Sequence, residues 1–232
     1  MSLPIAKFFF AIVLSFLVGL IVGHYKLFPF EQLYAIKKHF IPSQGQSTYF
    51  YNRVSFFEGI NHGSYDLVFL GDSITDIAEW QEMFPSLKVA NRGINGDTTQ
   101  GVLRRLDSVN SYTPGKIFIM LGVNDIYAGL NIQEISDNYK EIIEKTSYNH
   151  KHIYIQSTLM ANGPRAFLNK KIKLLNKNLI EIAKQYKNVS YIDLNMHLSK
   201  PGHLEARYTN DGIHLNHEGY AIWKKAITPY TN

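Results

Sequence analysis

The sequence contains no cysteine among its 232 residues. That absence excludes disulfide bonds, thiolate metal sites, a cysteine nucleophile and the lipid-modified cysteine of a bacterial lipoprotein. Charge of one sign is also scarce, because 24 Lys and Arg against 19 Asp and Glu leave a net charge of only +5. No motif interleaves basic and aromatic residues as nucleic-acid-binding proteins do, so we expect no nucleic-acid partner.

Most of the positive excess lies in one segment, residues 165–187. A single acidic residue, Glu181, accompanies seven basic ones there: Arg165, Lys170, Lys171, Lys173, Lys177, Lys184 and Lys187. The pattern is typical of a solvated helix face. Attraction to anionic lipid or to an acidic polysaccharide is the alternative interpretation.

Long apolar runs are rare, and the one exception lies at the amino terminus. Phe8–Gly23 is a run of 16 residues without a charge. This length falls between the core of a signal peptide and a transmembrane helix of about 20 residues. Because no small-x-small cleavage site follows, residues 1–26 are predicted to form a retained transmembrane helix. A cleaved signal and a buried core helix are the alternatives.

The retained helix would hold the rest of the chain at a membrane, with the folded domain in the periplasm or outside the cell. Signal cleavage would instead give a secreted protein. Basic residues lie on both sides of the apolar run, so the positive-inside rule does not decide its orientation. Residues 27–64 are predicted to form a juxtamembrane connector with short helices near 31–40 and 49–60, and residues 65–232 the folded domain.

Short apolar runs alternate with amphipathic stretches throughout that domain. The predicted strands are Leu67–Leu70, Lys88–Asn91, Lys116–Leu121, His152–Ser157 and Val189–Leu194. The predicted helices are Thr98–Val109 with Asp97 as its N-cap, Ile132–Tyr148, Phe167–Tyr186 and Asn216–Thr228. Strands that alternate with helices form a parallel sheet covered on both faces. We therefore expect an α/β fold, a three-layer α/β/α sandwich around a five-stranded, flavodoxin-like parallel sheet.

Polar motifs follow three of these strands and recur near the carboxyl terminus. They are Gly71-Asp72-Ser73, Asn91–Asp97, Gly122–Asp125, and Asp211-Gly212-Ile213-His214. The carboxyl ends of parallel strands open on one edge of a sheet, where α/β proteins bind ligands. Ser73, Gly93 and Asn124 are therefore expected to meet there, and the Asp-x-x-His loop must reach back to join them. Asp72 and Asp125 are interpreted as local caps.

The four motifs, in this order, resemble the blocks of the SGNH (GDSL) hydrolases. Residues 91–106 further resemble the platelet-activating-factor acetylhydrolases and the bacterial sugar O-acetylesterases. Ser73 has the chemistry of a nucleophile, His214 that of its general base, and Asp211 that of the group that orients the imidazole. The resemblance also implies an oxyanion hole of the Ser73 and Gly93 N–H groups and the Asn124 side-chain amide. It implies no metal and no organic cofactor.

The leading functional hypothesis is a serine esterase that removes small acyl groups, most simply acetyl, from a sugar or a cell-surface glycan. The alternatives are a lysophospholipase or thioesterase acting on lipid acyl chains, and an acyltransferase that uses the same triad. A tethered binding protein that keeps the fold without catalysis is a different class, which a complete set of motifs disfavours. The oligomeric state is left open by the sequence.

Overall fold

The structure is a computed structural model that describes residues 3–25, 47–60, 63–110, 113–147 and 152–231. The chain divides into two compact units, Met1–Gly45 and Gln46–Asn232. In the first unit, helix α1 (Leu3–Tyr25) contains the apolar run. Among the described residues, no helix is long and apolar enough to cross a membrane. The predicted transmembrane helix is therefore not supported, and the predicted location outside the cytoplasm stays a prediction.

The second unit is built on a five-stranded sheet. Its strands are β1 (Ser64–Gly71), β2 (Val89–Gly93), β3 (Thr113–Met120), β4 (His152–Gln156) and β5 (Val189–Ile192). They pair in parallel in the order β2-β1-β3-β4-β5. This is the flavodoxin-like order, in which the chain reverses direction between β1 and β3. The predicted α/β fold with a five-stranded parallel sheet is confirmed.

Ten helices of the second unit lie in its described residues. They are α2 (Thr48–Gly59), α3 (Ser73–Asp76), α4 (Trp80–Met83), α5 (Thr99–Arg104), α6 (Asp107–Asn110), α7 (Val123–Tyr127), α8 (Ile132–Ser147), α9 (Asn169–Ala183), α10 (Asn195–Leu198) and α11 (His217–Ile227). Short 3₁₀ helices cover Gly163–Leu168, Ala206–Tyr208 and Thr228–Tyr230. Helix α2 corresponds to the predicted helix near 49–60, whereas the one predicted near 31–40 lies outside the described residues.

Both faces of the sheet are buried. On one face, the rings of Phe69, Phe118 and Tyr154 stack across β1, β3 and β4, with centroids 5.1 Å and 4.8 Å apart. Trp80 stacks on Phe69 at 3.7 Å and meets Trp223 of α11 edge to face. Helices α5, α8 and α9 contact one another in a second layer. Residues alternate between the faces of a strand, so the neighbours of the stacked rings point the other way, and those neighbours are also buried.

The predicted helix Thr98–Val109 differs from the observed structure in two respects. The N-cap is Thr98, whose hydroxyl accepts the Gly101 N–H, and the helix ends after Arg104 before a separate turn, α6. Asp97 is not the cap because its carboxylate binds the buried guanidinium of Arg105. A tertiary ion pair has displaced the local capping interaction.

Candidate active site

Ser73 lies where strand β1 turns into helix α3. The Asp72 side chain caps that helix by accepting the Ile74 N–H at 3.0 Å, as expected of a local cap. A Cβ on Gly71 would overlap the Thr75 side chain, so only glycine lets the helix fold back against the end of the strand. Ser73 is thereby held at the carboxyl edge of the sheet and is only 4% exposed.

His214 joins Ser73 to Asp211 in one hydrogen-bonded chain. Its Nε2 lies 2.9 Å from Ser73 Oγ, and its Nδ1 lies 2.6 Å from Asp211 Oδ2. With a hydrogen on Nδ1, the ring donates to the carboxylate and accepts the serine hydroxyl through Nε2. The structure thus brings together three residues that the sequence placed up to 141 positions apart.

The loop that carries Asp211 and His214 is held by its own backbone. Asp211 Oδ1 accepts the N–H groups of Ile213 at 2.9 Å and His214 at 2.8 Å. Partial burial acts to raise the pKa of Asp211, but its hydrogen bonds with the His214 ring and these two N–H groups lower it to about 2. The carboxylate is therefore ionised at neutral pH and can stabilise an imidazolium.

Asn124 lies in the first turn of helix α7, after strand β3. Its Nδ2 donates to the carbonyl oxygen of Asp97 at 2.9 Å, in the turn that follows strand β2. This bond uses one of the two amide hydrogens and fixes the plane of the amide. The other hydrogen remains available to a ligand.

Gly93 is placed differently from the prediction. Its N–H donates to Asn91 Oδ1 at 2.9 Å, so the group is already occupied. A Cβ on Gly93 would overlap the backbone nitrogen of Asp76 in helix α3. Gly93 is thus required for the close packing of β2 against α3, and its N–H does not face an open site in this structure.

Gly96 is the glycine of this segment with an open environment. It has a φ of +77°, and a Cβ there would meet nothing within 4 Å. It belongs to a turn closed by the Asp97 N–H, which donates to the Ile94 carbonyl at 3.1 Å. The positive φ is the signal that sequence reasoning missed, since an Asn-Gly pair after a strand is typical of such a turn.

Two buried carboxylates lie behind the site. Asp125 accepts both the N–H and the hydroxyl of Thr99, the latter at 2.5 Å, so it connects α7 to α5 and is not a local cap as predicted. Burial raises the pKa of Asp125 to about 6 and that of Asp72 to about 7. Ionising either group therefore costs more free energy in the folded protein than in the unfolded chain.

Arg105 is a further residue that sequence reasoning missed. It is 2% exposed, and its Nη2 donates to the carbonyl oxygens of Gly71 at 3.2 Å and Arg92 at 2.9 Å. Those carbonyls end strands β1 and β2, on either side of the site. A fully buried cation on a short helix gives no sequence signal, because the same spacing suits an exposed arginine.

A family model described as GDSL-like lipase/acylhydrolase matches residues 69–222. The chain belongs to this family. The predicted SGNH/GDSL hydrolase is thereby confirmed, and with it, at the level of the family, the predicted class of carboxylic ester hydrolase. The match begins within strand β1 and ends in helix α11, so helix α2 precedes it.

Among curated proteins, this GDSL-like chain is similar to N-acylneuraminate cytidylyltransferase of Streptococcus agalactiae, with 26% identity over 128 residues. That alignment covers 55% of the chain but only 31% of the relative, so the chain matches about a third of that protein's length. It is also similar to the platelet-activating factor acetylhydrolase IB subunit alpha2 of Rattus norvegicus. The identity there is 26% over 165 residues, covering 67% of this chain and 71% of that protein.

Among solved structures, the chain is similar to one from Streptococcus pneumonia that is named after platelet activating factor. The TM-score is 0.71 and the identity is 28%, with 79% of this chain and 91% of the other covered. The fold of this GDSL-like chain is thus shared with a bacterial protein of nearly the same extent.

Proposed function

We propose that this GDSL-like chain is a serine esterase that removes small acyl groups, most simply acetyl, from a carbohydrate. The observation that carries the proposal is the bridge formed by His214, 2.9 Å from Ser73 Oγ and 2.6 Å from Asp211 Oδ2. A hydroxyl in such a chain can be deprotonated as it attacks an ester carbonyl.

The reaction proceeds in two steps. Ser73 Oγ bonds to the acyl carbon while His214 Nε2 takes the serine proton and then delivers it to the departing sugar oxygen. Asp211, ionised at neutral pH, stabilises the imidazolium between these transfers. In the second step a water molecule gives its proton to His214 and attacks the acyl-serine, which releases the carboxylic acid and restores Ser73.

The tetrahedral intermediate carries a negative oxygen that needs donors. Within the described residues, no protein group accepts the Ser73 N–H, and the Asn124 amide has a second hydrogen to give. We assign the third donor to Gly96 in place of Gly93, because the Gly93 N–H is occupied by Asn91. Removing one such donor costs about 3–4 kcal/mol of transition-state stabilisation.

The preference for small acyl groups on a sugar is supported by the names of the relatives. One is an acetylhydrolase, and the other is named for N-acylneuraminate, an acylated sugar, although the chain matches only about a third of it. Lipid acyl chains and transfer of the acyl group to a sugar instead of water are the competing outcomes.

The test compares hydrolysis of p-nitrophenyl acetate, butyrate and octanoate by the full chain and by its Ser73→Ala variant. Ser86→Ala is the matched control, since Ser86 is exposed in a loop. We expect fast acetate turnover that disappears only in Ser73→Ala, followed by release of acetate from O-acetylated sialic acid. A preference for octanoate would favour the lipid enzyme, and an acetylated sugar product detected by mass spectrometry would favour a transferase. Equal rates in all three proteins would rule out the esterase.

A further inference from the structure

Helix α2 lies before the segment that matches the family, yet it packs on the turn beside the active site. Phe50 and Phe57 are buried, 5% and 1% exposed, and form an apolar cluster with Ile94 of that turn. The helix begins in a defined way, because the Ser47 hydroxyl accepts the Phe50 N–H at 3.1 Å. The helix is therefore fixed against residues 94–97, which we call the oxyanion turn.

A polar contact complements this packing. Asp76 Oδ2 accepts the Tyr49 hydroxyl at 2.6 Å and the Asn95 N–H at 3.0 Å. Its other oxygen lies 3.5 Å from the Arg53 guanidinium. One carboxylate oxygen thus joins helix α2 to the oxyanion turn.

Asp76 is also one helical turn after Ser73 in helix α3. Asn95 precedes Gly96, and the carbonyl of Asp97 holds the Asn124 amide at 2.9 Å. A continuous path of hydrogen bonds and short backbone links therefore runs from Tyr49 through Asp76 and Asn95 to the amide that we assign to the oxyanion hole.

We propose that Tyr49 is a positioning residue, whose hydroxyl orients the Asp76 carboxylate so that it holds the oxyanion turn in its catalytic geometry. This inference rests on the proposed esterase function. The Asp76 side chain is 10% exposed, so little water can replace a lost donor. Hydrogen bonds to a carboxylate are among the stronger ones, and small displacements of a donor cost much rate.

The protonation state of Tyr49 agrees with its role as donor. Burial and, next, the hydrogen bond to Asp76 raise the pKa of Tyr49 above its ordinary value. The phenol therefore keeps its proton across the working range of a serine esterase.

The experiment compares Tyr49→Phe with Tyr51→Phe in the full chain, on p-nitrophenyl acetate, with rates expressed per active site from burst titration. Tyr51 lies on the same helix and is exposed, so its variant controls for the loss of a hydroxyl from α2. We expect kcat to fall about tenfold in Tyr49→Phe alone and KM to change less than about twofold, because the lost stabilisation belongs to the transition state.

A second variant tests whether the effect passes through Asp76. Asp76→Asn keeps an acceptor oxygen but removes its charge, so adding Tyr49→Phe to it should cost distinctly less than in the wild type. Amide hydrogen exchange gives a readout that is independent of turnover. Residues 94–97 should exchange faster in Tyr49→Phe than in either the wild type or Tyr51→Phe.

The outcomes separate this inference from the function on which it rests. An active wild type with equal kcat in the two tyrosine variants would overturn the role of Tyr49 and leave the esterase intact. If Tyr49→Phe cost as much in the Asp76→Asn variant as in the wild type, the path through the carboxylate would be overturned. A wild type without activity on any ester would reject the esterase itself, and unchanged exchange of the turn would then also reject the contact.

Discussion

The Arg105 guanidinium and the Asp97 carboxylate form a fully buried ion pair, with Nε 2.8 Å from Oδ2. The same cation donates to the carbonyls of Gly71 and Arg92. It therefore ties together the strand end that precedes Ser73, the end of the neighbouring strand, and the turn whose carbonyl holds Asn124. A charge without access to water is stable only when such partners surround it.

Removing this cation should destabilise the protein strongly. Arg105→Met leaves the Asp97 carboxylate buried without its partner, which typically costs about 3–5 kcal/mol of unfolding free energy. Urea denaturation at neutral pH measures the difference. Arg104→Met on the same helix is the control, because Arg104 is exposed and its loss should change stability by less than about 0.5 kcal/mol. Similar losses in the two variants would contradict the importance of the pair.

Asp72 should make stability depend on pH. Its folded pKa of about 7 lies above its ordinary value of 3.8, so between these values the folded state binds more protons than the unfolded chain. Stability should therefore fall as the pH rises from about 4 to about 7. Asp72→Asn keeps the capping oxygen for Ile74 and should flatten this decline.

Urea midpoints across this pH range provide the measurement. Asp107→Asn, at an exposed carboxylate, should keep the slope of the wild type. A slope that is unchanged in Asp72→Asn would show that the Asp72 carboxyl does not carry the effect.

The two glycines of the β2 segment should respond differently to an added methyl group. Gly93→Ala forces a Cβ into the backbone of Asp76 and should destabilise the fold by about 2 kcal/mol or more. Gly96→Ala meets open space, so only its positive φ costs energy, about 1 kcal/mol. Thermal unfolding of the two variants tests the ranking, and a reversed order would show that Gly93 is not closely packed.

Asp211 should control the rate without controlling the fold. Asp211→Asn presents an amide to His214 Nδ1 and favours the wrong imidazole tautomer, so kcat should fall by about 10³–10⁴-fold. Asn210→Ala, at the exposed neighbouring residue, should retain full activity. Rates on p-nitrophenyl acetate decide this, and an Asp211→Asn variant within tenfold of the wild type would contradict a triad.

The strand order shows how far the sequence reaches. Five apolar runs alternating with amphipathic helices were enough to predict a parallel sheet, and the predicted starts of β4 and β5, His152 and Val189, agree with the structure. Their ends differ by one or two residues because the apolar runs continue past the last hydrogen-bonded pair. The helix Thr98–Val109 was wrong in its cap and its end, because the Asp97–Arg105 pair is a tertiary contact.

The sequence by itself determined the fold class and the residues with the chemistry of a triad, since hydrophobic periodicity and short motifs are local properties of a chain. Only the tertiary structure decided which groups are free to act. It showed that Asn91 occupies the Gly93 N–H, that Gly96 is open, and that Tyr49 reaches Asp76. These contacts join positions that are distant in sequence, or depend on the direction of one N–H, and burial and backbone geometry set both.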